Sequence, residues 1–136
     1  MALSIRIYNA HPAFRFPIHR LKKCVCALLR AEAPAKPAPS VNIILTEDDA
    51  VRELNRSFRK KNKPTDVLSF NFDDPDLLGE IYISLDTAAQ QAAENDLSLE
   101  QELKRLIVHG LFHLMGHDHH RKKERIRMER LEARYL

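Results

Sequence analysis

The chain has 136 residues, 44% of them apolar and 30% charged, with a net charge of +3 and a pI near 9.0. That length suits one domain with a hydrophobic core and is too short for two, so a single domain over residues 1–136 is expected. No apolar run approaches the roughly 20 residues of a membrane helix, and Met1 to Tyr8 lacks the basic segment and apolar block of a signal peptide, so no membrane partner is expected and the default location is the cytoplasm.

Leu3 to Tyr8 alternates Leu3, Ile5 and Ile7 with Ser4, Arg6 and Tyr8, the period of a half-buried strand. His11 and His19 read as ordinary surface or half-buried residues. From Pro17 onward Ile18, Leu21, Val25, Leu28 and Leu29 recur at helical spacing, and Pro17 suits a first helical turn. Cys24 and Cys26, two residues apart on that helix, point in different directions and read as free, partly buried thiols. Pro34, Pro37 and Pro39 forbid helix and give a short extended connector. Val41 to Leu45 reads as a buried strand.

Thr46 is the expected cap of the next helix, with Asp49 three residues on and Glu47 and Asp48 at its positive end. Val51, Leu54 and Phe58 form its expected inward stripe, and Pro64 ends the segment. Leu68, Phe70 and Phe72 alternate with Ser69 and Asn71 as a strand, followed by a turn at Asp73, Asp74, Pro75 and Asp76. Glu80 to Leu85 is a further strand with Ile81, Ile83 and Leu85 on one face. An Ala-rich helix runs from about Thr87 to Glu94, and Ser98 opens another with Gln101 in the capping-box position. A charged helix closes the chain after His120.

Strands and helices mix without strict alternation, which argues for an α/β or α+β layer around a small sheet. With three glycines in the chain, a Gly-rich phosphate loop is excluded. Positive charge concentrates in Arg52 to Lys63 and in Arg121 to Arg134, where Glu124, Glu129 and Glu132 neutralise much of the second stretch.

The segment His109-Gly-Leu-Phe-His113-Leu-Met-Gly116-His117-Asp118-His119-His120 carries the chemistry. At about 100° per residue, His109 and His113 lie roughly 40° apart, at the edge of the stripe formed by Leu99, Leu103, Leu106, Ile107, Gly110, Leu111 and Leu114. Gly116 can take the left-handed conformation that ends a helix and lets the chain turn back. His119 then approaches as a third ligand, in the His-x-x-x-His-x-x-Gly-x-x-His spacing of the metzincin proteases. Three imidazoles and an open fourth position describe a catalytic zinc site, although nickel or another divalent ion also suits them. His117 and His120 are alternatives for the third ligand, and Asp118 is a candidate orienting acceptor. Gly110 stands where zinc proteases carry the Glu that serves as general base, which argues against peptide hydrolysis.

Two blocks resemble the YbeY family of bacterial endoribonucleases. One is Leu54-Asn55, Arg59 and Pro64-Thr65-Asp66-Val67-Leu68-Ser69-Phe70; the other is His109-Gly110-Leu111, His113-Leu114, Gly116, Asp118 and His119. Leu78-Gly79-Glu80-Ile81 lies between them, and the likeness spans about Val41 to His120. The chain departs from the family at Glu80, where Asp is commoner, at His117, where Tyr or Phe is usual, and at the additional His120.

The resemblance implies a small mixed four-stranded sheet packed with several helices, one of them a zincin-like metal-binding helix. It also implies one Zn2+ per chain held by His109, His113 and His119, with Arg59 in the active cleft. The implied activity is zinc-dependent, single-strand-specific endoribonuclease cleavage in ribosomal RNA maturation and ribosome quality control. The implied partners are ribosomal RNA and the ribosome or a small-subunit precursor. Arg59 closes a predicted helix and begins the basic run Arg59, Lys60, Lys61 and Lys63; a planar guanidinium is well matched to a phosphodiester. Thr65, Asp66 and Ser69 read as structural. The rival readings are a non-enzymatic zinc-containing RNA-binding assembly factor and a metal-dependent hydrolase of another substrate.

Overall fold

The computed structural model describes residues 4–32, 40–59, 66–71, 77–117 and 121–136. Their order is β1 (Ser4–Asn9), α1 (His19–Glu32), β2 (Ser40–Thr46), α2 (Asp48–Arg59), β3 (Val67–Phe70), β4 (Gly79–Ser84), α3 (Leu85–Glu94), α4 (Leu99–Leu114) and α5 (Lys122–Ala133). The four strands form one sheet in the order β1-β2-β4-β3, with β1, β2 and β4 parallel and β3 antiparallel to β4. This is the small mixed α+β architecture expected from the sequence.

Register explains where the core sits. Ile7 pairs with Ile43, Ile43 with Ile81, and Ile81 with Ser69, so alternate residues of neighbouring strands line one face. The helices α1 and α4 close that face with Leu21, Val25, Leu28, Leu103, Leu106, Ile107 and Leu111, all buried in one cluster. Each such side chain contributes about 1.5–3 kcal/mol of apolar burial. Gly110 is what lets α4 come so close. A Cβ there would lie 3.0 Å from Ser69 Oγ and 3.1 Å from Ile81 Cδ1.

The other face carries Tyr8, Ile44, Tyr82 and Leu68 in register across the sheet, with α2 lying over its β4-β3 side. Here the expected stripe needs correction. Val51 is buried and Leu54 half-buried, but Phe58 is 68% exposed and Asn55 is buried instead. The last turn of α2 lies over β3, an edge strand, where Phe58 and Phe70 meet in a T-shaped contact, 5.5 Å between centroids.

The expected Thr46 cap is corrected too. β2 continues through Thr46, which pairs with Ser84, and α2 begins at Asp48. The Asp48 amide donates instead to Asp86 Oδ2 at 3.0 Å, a carboxylate from the first turn of α3. Asp48 in turn accepts from the Ser84 hydroxyl and from Thr87 Oγ1 at 2.6 Å. His11 joins the same network and is buried, 8% exposed, not a surface residue. Its Nε2 meets Asp86 Oδ1 at 2.9 Å, while Nδ1 accepts from the amides of Ala13 and Phe14, both at 3.0 Å. With Nδ1 accepting twice, the ring proton belongs on Nε2.

Smaller shifts occur at element ends. α1 begins at His19, with the Lys22 amide donating to the Ile18 carbonyl. Leu85 starts α3 under a Ser84 cap and does not end β4. Phe72 and the turn at 73–76 lie outside the described residues. Cys24 and Cys26 are free and half-buried, as expected.

Candidate metal centre

α4 carries the centre, and local sequence fixes both of its ends. Ser98 Oγ accepts from the Gln101 amide at 3.1 Å while Gln101 Oε1 accepts from the Ser98 amide at 2.8 Å, the capping box expected from the sequence. At the other end the Gly116 amide donates to His113 O and the His117 amide to Phe112 O, both at 3.0 Å, with Gly116 at φ +95°. That pair of bonds is a Schellman motif, and only a residue free to take positive φ closes it readily.

His109 and His113 project from adjacent turns at the edge of the apolar stripe, and both are half-buried. Their Nε2 atoms face one another at 3.1 Å. Two imidazole nitrogens bound tetrahedrally to one zinc at about 2.0–2.1 Å would stand roughly 3.3 Å apart, so the pair fits one ion with little rearrangement. On its far side, His109 Nδ1 meets Glu132 Oε1 of α5 at 3.0 Å.

Further along the same side of α4, Arg105 Nε donates to Glu102 Oε1 at 2.9 Å. The Glu102 side chain is fully buried. That hydrogen bond first, and then the charges of Glu102, Asp66 and Glu132, hold the Arg105 guanidinium above its ordinary range. An open cleft of about 310 Å3 lined by Leu97, Gln101, Lys104, Arg105 and Leu136 contains neither histidine.

Of the expected site residues, the structure brings His109 and His113 together. His119, with Asp118 and His120, lies outside the described residues, and His117 contacts the Phe112 ring edge-on, 5.4 Å between centroids. Among the described residues no three His, Cys, Asp or Glu side chains converge as a metal site. Arg59 ends α2, as expected, and its side chain lies outside the described atoms, as does Thr65. Ser69 faces Gly110, and the Asp66 carbonyl accepts from the Ser84 amide at 3.0 Å. Asn71 Nδ2 donates to Leu114 O at 2.8 Å, tying the end of β3 to the turn after His113.

Glu132 is the residue that sequence reasoning missed, having counted it only as a neutralising charge. A signal was available. Met128, Leu131, Glu132 and Tyr135 recur at i, i+3, i+4 and i+7, so Glu132 shares a stripe with residues that pack inward.

The family model described as Endoribonuclease YbeY matches residues 7–136. A relative named Endoribonuclease YbeY from Aquifex aeolicus (strain VF5) is 51% identical over 88 residues, 62% of this chain and 59% of its own length. Another of that name, from Anaeromyxobacter sp. (strain Fw109-5), is 40% identical over 135 residues, 96% of this chain and 69% of its own length. The solution structure of TM1509 from Thermotoga maritima superposes with a TM-score of 0.70 at 32% identity, covering 96% of this chain and 85% of that one. Among the described residues no helix is long and apolar enough to cross a membrane. A family match over residues 7–136 and a relative 40% identical over 96% of this chain place this chain in the YbeY family.

Proposed function

We propose that this protein is a metal-dependent endoribonuclease of ribosomal RNA maturation and quality control, acting in the cytoplasm on single-stranded RNA of the ribosome or a small-subunit precursor. The observation that carries the metal centre is the convergence of the two Nε2 atoms at 3.1 Å on a helix ended by a Gly116 turn. RNA as substrate is supported by the names of the relatives and by the family match.

In this reading His109, His113 and His119 hold one Zn2+. When bound, the ion supplies Lewis acidity toward a phosphodiester and makes a water nucleophilic near neutral pH. Arg59 binds the phosphodiester and offsets the charge that gathers on its non-bridging oxygens. Gly110 faces the sheet, against Ser69 and Ile81, so the position that carries a general base in zinc proteases serves helix packing here.

The test is metal content by elemental analysis, paired with cleavage of single-stranded RNA by the same samples. Wild type should hold one equivalent of zinc, and His109→Ala and His119→Ala should lose both metal and cleavage. Arg59→Glu should keep the metal and lose nearly all cleavage. A verified metal-free His109→Ala that cleaves RNA at the wild-type rate would overturn the mechanism. Zinc retained in His119→Ala but lost in His117→Ala or His120→Ala would reassign the third ligand.

A further inference from the structure

We propose that Glu132 is a positioning residue: it fixes the ring of His109 so that Nε2 faces the ion, and it makes metal affinity depend on α5 folding back onto α4. This rests on the reading of His109 and His113 as metal ligands. The contact itself does not.

An imidazole can bind a metal through one nitrogen only if that nitrogen carries a lone pair, and the hydrogen bond at the other nitrogen decides which one does. A carboxylate accepts and cannot donate. Glu132 Oε1, 3.0 Å from His109 Nδ1, therefore requires the proton on Nδ1 and, in the neutral ring, leaves the Nε2 lone pair pointing toward His113. With both rings neutral and no ion, the 3.1 Å contact between the two Nε2 atoms then has one sense, His113 donating and His109 accepting. Glu132, His109 and His113 form a directed chain whose first member is anionic.

The carboxylate is held in place, and an ordinary exposed ion pair would not be. The Glu132 side chain is 16% exposed, against 29% for His109. One turn earlier Met128 is buried in the core, and Leu131 and Tyr135 pack against the same cluster. Tyr135 also hydrogen-bonds Glu32 at the end of α1, 2.7 Å, so α5 is fastened on both sides of Glu132. Glu124 and Glu129 of the same helix are exposed, and the pattern of the helix alone selects Glu132 as the inward acid.

The experiment uses the full, metal-free chain with Zn2+ alone, titrated against a chelating indicator, and 15N NMR of the histidine rings before metal is added. In wild type, His109 should show a protonated Nδ1 and an unprotonated Nε2. Glu132→Leu should lower zinc affinity about 10–100-fold and abolish that single tautomer. Glu132→Gln keeps an acceptor but loses the charge, so affinity should fall several-fold while the tautomer survives. Glu129→Gln should behave as wild type in both readouts. A folded Glu132→Leu with wild-type affinity and the wild-type tautomer would overturn the proposal while leaving the metal site intact. Should Glu132→Leu fail to fold, wild-type affinity in Glu132→Gln would overturn it equally. A wild-type chain that binds no zinc would overturn the metal reading and this proposal together.

Discussion

Gly110 shows how one missing side chain can carry a packing role and a chemical consequence together. Gly to Ala in a helix interior ordinarily gains about 1 kcal/mol. Here the new methyl would sit 3.0–3.2 Å from Ser69 Oγ and from two carbons of Ile81, a side chain buried in the core with no room to give. Overpacking of that kind costs about 1–3 kcal/mol, so the larger effect wins. Gly110→Ala should be less stable than wild type by roughly 1 kcal/mol in urea unfolding, the difference of those two estimates. A variant that gains stability would show that α4 can ride away from β3. What the sequence disclosed at this scale was local. The spacing of His109 and His113 and the turn at Gly116 depend on neighbours within a few residues, and both were legible. The partner of His109 was not, because Glu132 stands 23 residues away and reaches it only once α5 has folded back.

At the scale of elements, the capping box of α4 and the alternation of β1 and β4 were legible, since each is written within one segment. The start of α2 was not, because its capping group, Asp86, comes from another helix. That carboxylate joins α2, α3 and the loop at His11. Burial pushes its pKa up, but the Asp48 amide and then His11 outweigh that and hold Asp86 below the ordinary carboxylate range. A group whose folded pKa is depressed contributes stability above its unfolded pKa, about 3.9, and loses it as pH falls through the folded value. Asp86→Asn should therefore be less stable than wild type at pH 7, and the gap should narrow steadily below about pH 4. Urea unfolding of both proteins at pH 7, 5 and 3 measures it. A gap that stays constant to pH 3 would mean that the carboxylate charge is not what joins these elements.

At the scale of the whole molecule, the decisive event is the return of the C-terminus to the body of the fold. The charged composition of α5 concealed this, since a helix with charged residues, basic and acidic, at most positions reads as a solvated rod. Its inward stripe holds few residues, with Met128 the one that is fully buried, and the closure is completed by polar contacts no sequence pattern announces. Tyr135 makes one of them. Its hydroxyl donates to Glu32 Oε1 at 2.7 Å, and its ring lies 6.0 Å from that of Phe112 on α4. Burial first, and then the Glu32 carboxylate, push the phenol up to about 12. The neutral phenol is the form favoured by folding, so its contribution is complete below the unfolded value, about 10, and is lost as pH rises toward 12. Tyr135→Phe removes the hydroxyl and keeps the ring against Phe112. It should cost about 0.5–1.5 kcal/mol at neutral pH, the worth of one hydrogen bond. Between pH 10 and 12 the two proteins should converge, because wild type alone has this contact to lose. Convergence would tie the fastening of α5, and with it the place of Glu132 beside His109, to one phenol at the far end of the helix. A Tyr135→Phe chain as stable as wild type at every pH would leave Met128 and Leu131, with the Glu132–His109 and Arg134–Glu32 contacts, as the groups that close the molecule.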